Sequence, residues 1–248
     1  MFSFENRTWN KVGGVAFGPA MPYLHSLGST CASFIDWTET NTKQNSATQY
    51  VGQVTGAFQP GVVDDCPPST KCSTQADNIF RQVRTAGKTA VNYVEGATTA
   101  CSAGGNAVKH IPALYLWGDN DRSYCGAQVR PFSEFHADAL ATFAFVTPTL
   151  CNDGHDCDNT VVDNWARAHV QPVLSSAAYR AGNVAVFIWY DEDHPVPNLW
   201  IAPTAHSGPQ RLTGAGYAGT LAAWESMLGI PCLANACTAP NMRAAANS

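Results

Sequence analysis

The residues best suited to chemistry lie 186 positions apart, at Glu5 and Asp191. Phe4-Glu5-Asn6 and Trp189-Tyr190-Asp191-Glu192-Asp193 each directly follow an apolar segment. In an open α/β sheet the carboxyl ends of parallel strands converge on one crevice, so residues there meet whatever their separation in sequence. Carboxylates held that close repel one another unless a cation or shared protons neutralise them. A hard divalent metal bound through oxygen meets that need, and Glu5, Asn6, Asp191 and Glu192 offer oxygen only. Taken singly, either cluster suits a solvated acidic turn after a strand equally well.

A nucleophile is available at Ser46, in Asn45-Ser46-Ala47-Thr48-Gln49-Tyr50, just ahead of a short helical stretch that stops at Gly56. A hydroxyl at a helix N-terminus faces unpaired N–H groups and the positive end of the dipole, which favour an alkoxide and a bound phosphate. A Ser in that place is far more often a plain N-cap, so position alone leaves both roles open.

Elements must bring these residues together. Apolar residues at Ile79, Phe80 and Val83 have helical spacing over 77–86, with Thr74 as a cap and Gly87 as a stop. Strands are expected over 89–94, 141–146, 184–189 and 199–202, and the apolar stretch 111–117 fits either type. Residues 161–181 read as one long helix, kinked or broken at Pro172. The last helix, 220–228, ends at Gly229. Such alternation implies an α/β fold with a mostly parallel central sheet and helices on both faces.

The chain has 248 residues, 45% hydrophobic, with net charge -5. No composition shift divides it, so one domain over 1–248 is expected. Mild acidity without a basic run argues against a nucleic-acid-binding surface. The longest apolar run, 184–190, is far too short to span a bilayer. Nine cysteines are unusual for a reduced cytosolic enzyme. Cys66 with Cys72, Cys151 with Cys157 and Cys232 with Cys237 lack C-x-x-C spacing and read as short disulfide-closed loops of an exported protein. Cys101 and Cys125 are available for a fourth bridge, leaving Cys31. Met1-Phe2-Ser3-Phe4 is no secretory signal, so an exported protein implies a leader absent from this chain.

Together these segments resemble the phosphoesterase family of secreted acid phosphatases and phospholipase C-type enzymes within the alkaline phosphatase superfamily. Phe4-Glu5-Asn6-Arg7-Thr8-Trp9 is similar to its opening motif, an apolar strand ending in Glu-Asn. Asn45-Ser46-Ala47-Thr48-Gln49-Tyr50 with Thr55-Gly56 is a degraded form of the second, Pro-Ser-x-Pro-Asn-Tyr. Thr147-Pro148-Thr149-Leu150-Cys151-Asn152-Asp153-Gly154-His155-Asp156 resembles the third, and Ile188 to Glu192 with Trp200 to Gly208 the fourth. Leu228-Gly229-Ile230-Pro231 resembles the family's ending. The matches run in order along nearly the whole chain.

The resemblance implies metal-dependent hydrolysis of a small phosphoester through a phosphoserine intermediate. Glu5, Asn6, Asp191, Glu192 and Ser46 would bind one divalent cation, calcium, magnesium, manganese or zinc. Ser46 would attack phosphorus, and His155 would contact phosphate or protonate the leaving oxygen. Gln49, Asn152 and Asp153 would lie at the phosphate, with Asp153 and Asp156 as partners of His155 or as turn residues. The sequence departs from the family at Asn45, Thr48 and Gln49, and only four residues precede Glu5, where the family's first strand is longer. The family's His-Asn-Pro segment is replaced by Val129-Arg130-Pro131-Phe132, with Arg130 supplying charge. His110, His136 and His194 read as surface or loop residues, and the aromatics of 114–117 as core. The altered nucleophile motif admits an alternative, a catalytically reduced relative that binds a phosphorylated or polyanionic ligand.

Overall fold

The computed structural model describes residues 1–8, 18, 20–34, 36–40, 45–193, 195–205, 208–210, 214 and 216–246. In chain order the strands and α-helices are β1 (Phe2–Phe4), α1 (Pro22–Thr30), β2 (Ala32–Phe34), α2 (Ser46–Thr55), α3 (Ile79–Thr85), β3 (Ala90–Val94), α4 (Cys125–Gln128), β4 (Val129–Pro131), β5 (Phe143–Thr147), α5 (Asn159–Leu174), α6 (Ala177–Arg180), β6 (Val186–Tyr190), β7 (Asn198–Ile201), β8 (Gly208–Gln210), α7 (Tyr217–Leu228) and α8 (Met242–Ala246). The strands form one eight-stranded sheet in the order β4-β3-β5-β1-β6-β7-β2-β8. All neighbours pair in parallel except at β7, which runs against both β6 and β2. The connection 191–197 is too short for a crossover helix, so β6 and β7 must be antiparallel.

Alternation along the central strands shows why helices cover both faces. Phe2 and Phe4 meet Trp165 of α5 edge-on, at ring-centroid distances of 6.1 and 5.9 Å. Ser3 points the other way, and its register partner Trp189 meets Tyr50 of α2 at 4.8 Å. β6 is buried along its whole length, and its sequence VFIWY accordingly shows no polar alternation.

Several boundaries depart from expectation. The expected long helix is two: Pro172 sits in the last turn of α5, and the chain re-enters a helix at Ala177. α3 is capped by Asn78, whose side chain accepts from Arg81 N, whereas Thr74 bridges to Leu116. The stretch 111–117 forms a 3₁₀ turn at Pro112–Tyr115, and Leu114, Tyr115 and Leu116 are buried as expected. α1 was invisible locally because Met21 offers no capping side chain. Its first N–H groups are satisfied instead by Asp163 of α5, which accepts from Tyr23 N at 2.9 Å and Leu24 N at 2.8 Å.

Gly56 ends α2 in the left-handed region at φ 74, where a Cβ would stand 2.8 Å from the Leu233 carbonyl oxygen. All four expected disulfides are present: Cys66–Cys72, Cys101–Cys125, Cys151–Cys157 and Cys232–Cys237, with Cys31 free. No helix among the described residues is long and apolar enough to cross a membrane.

One core carboxyl makes stability pH-dependent. Burial raises the Glu225 pKa from 4.5 to about 8. Between those values the unfolded chain loses this proton while the folded chain keeps it, so stability falls as pH rises through the window. Glu225→Gln removes that slope. Its Tm, relative to the parent protein, should therefore climb between pH 4.5 and 8 and then level off; a difference independent of pH would refute the assignment.

Candidate active site

Glu5 follows the central strand β1 and is fully buried. Asn6 takes a left-handed backbone at φ 52, a conformation Asn tolerates better than most residues, and this turns the chain sharply after Glu5. Asp191, also fully buried, follows the neighbouring parallel strand β6. The register pairing Phe4 with Tyr190 therefore puts Glu5 beside Asp191, and Asn6 N donates to Asp191 Oδ1 at 3.4 Å. Ser46 opens α2 over the same strand ends, and its hydroxyl donates to Glu5 Oε2 at 3.2 Å. The two acidic clusters and the serine thus meet as expected.

One oxygen each of Glu5, Asp191 and Glu192 lies within 4.8 Å of the others, a spacing compatible with a shared coordination sphere. Asp191 Oδ2 and Glu192 Oε2 are buried and accept no hydrogen bond. Burial, then the Glu5 charge, drives the Asp191 carboxyl well above its usual range, and the same causes push Glu192 up to about 7. A divalent cation would relieve both the orphaned oxygens and the repulsion, so the donor set fits such an ion.

The sequence reading missed His110. It is no surface residue but is 1% exposed and stacks on Tyr50 at 5.2 Å, with its ring 13° from parallel. Its Nε2 faces Glu5 Oε1 at 3.3 Å, and its Nδ1 meets Asp153 Oδ2 at 3.1 Å. Burial alone would lower the His110 pKa, but the Glu5 charge and the Asp153 hydrogen bond outweigh it and raise the value to about 9. The ring is thus an ion-pair partner of both carboxylates, and Glu5, His110 and Asp153 cluster as closely as Glu5, Asp191 and Glu192 do. In turn His110 holds Glu5 below its usual range against the opposing effect of burial. The signal was a His-x-Pro segment, His110-Ile111-Pro112, which lies at the site where 129–132 does not.

The Cys151–Cys157 loop supplies the far wall. Its Asp153 carbonyl accepts from Glu5 N at 2.9 Å, and Arg7 fastens it further by donating to the Cys157 carbonyl and Asn159 Oδ1. Asp153 is fully buried and accepts from His155 N at 2.8 Å, so it orients both histidines. The His155 side chain is 33% exposed, lies 5.9 Å from the His110 ring, and has its Nδ1 taken by Asp156 at 2.7 Å. That leaves Nε2 as the nitrogen to meet a ligand.

Other expected residues stand elsewhere. Arg130 lies on the edge strand β4, three strand spacings or about 14 Å from β1. There it pairs with Glu134 at 2.7 Å and cannot supply charge to the cluster. Asn152 spends its amide on both oxygens of Glu95, at 3.1 and 3.0 Å, and is a support of the loop. Gln49 lies one turn after Ser46, buried, with Oε1 accepting from Thr40 N at 2.7 Å. The start of α2 is no open anion cradle: Ala47 N donates to Asp65, and Thr48 N and Gln49 N donate to the Asn45 carbonyl. Trp9 and His194 lie outside the described residues. A cavity of about 470 Å³ opens among Phe143, Val186, Trp200 and Leu228, at the opposite ends of the strands. It stands about 16 Å from Asp191 along β6 and has no part in this site.

No family model matches the chain. It is 25% identical over 251 residues to a phosphatidylinositol-3-phosphatase of Mycobacterium tuberculosis, covering 95% of this chain and 78% of that one. An acid phosphatase of Aspergillus fumigatus is 29% identical over 89 residues, 34% of this chain and 20% of its own. Among solved structures, an alkaline phosphatase superfamily protein from Vibrio parahaemolyticus aligns with TM-score 0.64 at 12% identity, over 97% of this chain and 68% of that one. A putative sulfatase from Bacteroides thetaiotaomicron aligns at 0.60 and 10% identity, over 94% and 71%. The fold is that of the alkaline phosphatase superfamily.

Removing His110 tests the site's internal balance. His110→Gln leaves the Glu5 and Asp153 carboxylates buried without their shared cation, and breaking such a pair costs about 3–5 kcal/mol. Calorimetry without added metal should show a Tm loss on the order of 10 °C; a loss within error would remove His110 from this role.

Proposed function

We propose that the chain hydrolyses phosphate esters through a covalent intermediate on Ser46, with one divalent cation held by Glu5, Asn6, Asp191 and Glu192. The protein is a phosphoester hydrolase. The observation that carries the mechanism is the Ser46 hydroxyl aimed at Glu5 Oε2 within a cluster where Asp191 Oδ2 and Glu192 Oε2 are buried without a hydrogen bond. When bound, the cation lowers the pKa of a coordinated hydroxyl and neutralises developing phosphoryl charge.

The chain's own residues do the rest. Glu5 Oε2 orients the Ser46 hydroxyl and takes its proton as the serine oxygen attacks phosphorus in line and the bond to the leaving oxygen breaks. His110, cationic and buried, contributes fixed positive charge beside Glu5 and so favours the charge that builds on the phosphoryl oxygens. His155 Nε2 donates a proton to the leaving oxygen, and Asp156 at Nδ1 fixes the ring for that transfer. Water then attacks the phosphoserine, yielding a proton to His155 Nε2 as the bond to the Ser46 oxygen breaks and that oxygen takes back its proton from Glu5, which gives phosphate and restores both groups. The alignment of Ser46 with Glu5 favours turnover over mere ligand binding, since a binding protein has no need of a poised hydroxyl. Four disulfides support an oxidising setting outside the cytosol.

Ser46→Ala should abolish nearly all hydrolysis of an aryl phosphate while costing about 1 kcal/mol of stability, the worth of one hydrogen bond. A chelator and Asp191→Asn should each suppress the parent activity, the chelator reversibly on adding back metal. Undiminished turnover by purified Ser46→Ala would overturn the nucleophile. His155→Ala should slow alkyl phosphates far more than activated aryl phosphates, because a good leaving group needs little protonation. Equal losses on both substrates would deny His155 the acid role.

A further inference from the structure

One carboxylate ties two halves of the site together. Asp65 Oδ1 accepts from the N–H of Ala47, the residue after Ser46, at 2.9 Å. Its Oδ2 meets the Nζ of Lys109, the residue before His110, at 3.1 Å. Both partners are main-chain neighbours of the groups assigned to chemistry, yet they come from segments more than sixty residues apart. Asn45, the residue preceding α2, contributes no capping side chain, so Asp65 does that work from another part of the chain.

Asp65 itself is firmly placed. It and Asp64 stand in the left-handed region at φ 52 and φ 54, a tight double turn that aims the carboxylate back at α2. The next residue is Cys66, closed to Cys72 by a disulfide, and the Cys66 carbonyl accepts from the buried Tyr115 hydroxyl at 2.9 Å. The Asp65 charge is countered by Lys109, so it does not add to the acidic cluster unopposed. Because the carboxylate stands on the Ala47 N–H, that donor is not offered to an incoming phosphate.

We propose that Asp65 is a positioning residue, which fixes the start of α2 against the Lys109-His110 segment and thereby sets Ser46 relative to Glu5 and His110. This rests on the reading of Ser46 as the nucleophile. A misplacement of about 1 Å in a reacting group can cost on the order of a hundredfold in rate. The effect falls on turnover, since Asp65 touches no substrate.

The test is steady-state kinetics on an aryl phosphate. Asp65→Asn keeps an acceptor for Ala47 N but gives up the ionic bond, and should lower kcat about tenfold; Asp65→Ala loses both arms and should approach a hundredfold. KM should stay within about twofold in each case. Lys109→Gln should lower kcat at least as much as Asp65→Asn, since Lys109 also acts on Glu5 and Glu192, and the double variant Asp65→Asn with Lys109→Gln should be no worse than Lys109→Gln alone, because their contact is already lost. Lys71→Ala, exposed in the same disulfide loop, should leave the rate unchanged. Parent-like kcat in Asp65→Asn and Asp65→Ala, or additive losses at 65 and 109, would overturn the proposal. So would a rise in kcat/KM, which would make Asp65 a resident competitor for the anion. Should Asp65→Ala fail to fold, Asp65→Asn and the double variant decide. Full activity in Ser46→Ala would instead fail the nucleophile reading and leave the Asp65 kinetics to be judged separately.

Discussion

The arrangement depends on keeping Glu5 ionised inside a packed core. A carboxylate at the end of the central strand, 0% exposed, would take up a proton if burial acted alone. His110 prevents that from 3.3 Å, and Asp153 on the far nitrogen keeps the imidazole charged and oriented. The result is a carboxylate–imidazolium–carboxylate row in which each charge is tolerable only because of the next. Breaking such a row exposes a buried charge, whereas its intact form contributes little net stability. Its value is therefore geometric: it fixes Glu5 as an acceptor for Ser46 and leaves the opposite side of the cluster to Asp191 and Glu192.

That opposite side is deliberately unbalanced. Asp191 and Glu192 are both driven toward the protonated form by burial and by Glu5, an effect that Lys109 only partly offsets at Glu192. The contrast divides the labour in the site. Glu5 has a cation of the chain against one of its oxygens, while the repulsion it shares with Asp191 and Glu192 is the part that a divalent ion would relieve. Glu5, His110 and Asp153 approach one another just as closely, with the His110 ring between the two carboxylates.

The strand bearing Asp191 was legible because a strand buried on both faces reads as an unbroken apolar run followed by an abrupt polar end, and Glu5 likewise directly follows the short segment Phe2-Ser3-Phe4. Convergence of Glu5, Asp191 and Glu192 followed from that and from the parallel topology, whereas Ser46, on a helix, was placed with them by the family resemblance. What was not legible depended on contacts between distant segments. His110 lies in a 3₁₀ turn without hydrophobic periodicity, so only its neighbours in space reveal that it is buried. Asp65 caps a helix from which it is separated by a loop, and Asp163 caps α1 from 139 residues away, so neither shows at the usual capping position. Arg130 failed for the converse reason: a plausible charge near an apolar segment says nothing about which strand of the sheet that segment becomes.

The disulfides extend the same logic to segments that lack regular structure. Cys66–Cys72 follows directly on Asp65, Cys101–Cys125 encloses Lys109 and His110, and Cys151–Cys157 brackets Asp153 and His155. Cys232–Cys237 closes the loop whose Asn235 N donates to the Gly56 carbonyl, holding the far end of α2. Each short loop closed this way gains about 2–3 kcal/mol in the chain-entropy model. Loops of this kind otherwise open at low free-energy cost and carry function at the expense of order. Cross-linking them where they meet the strand ends lets irregular backbone, with its left-handed turns at Asn6 and Asp65, hold charged groups in fixed positions relative to one another.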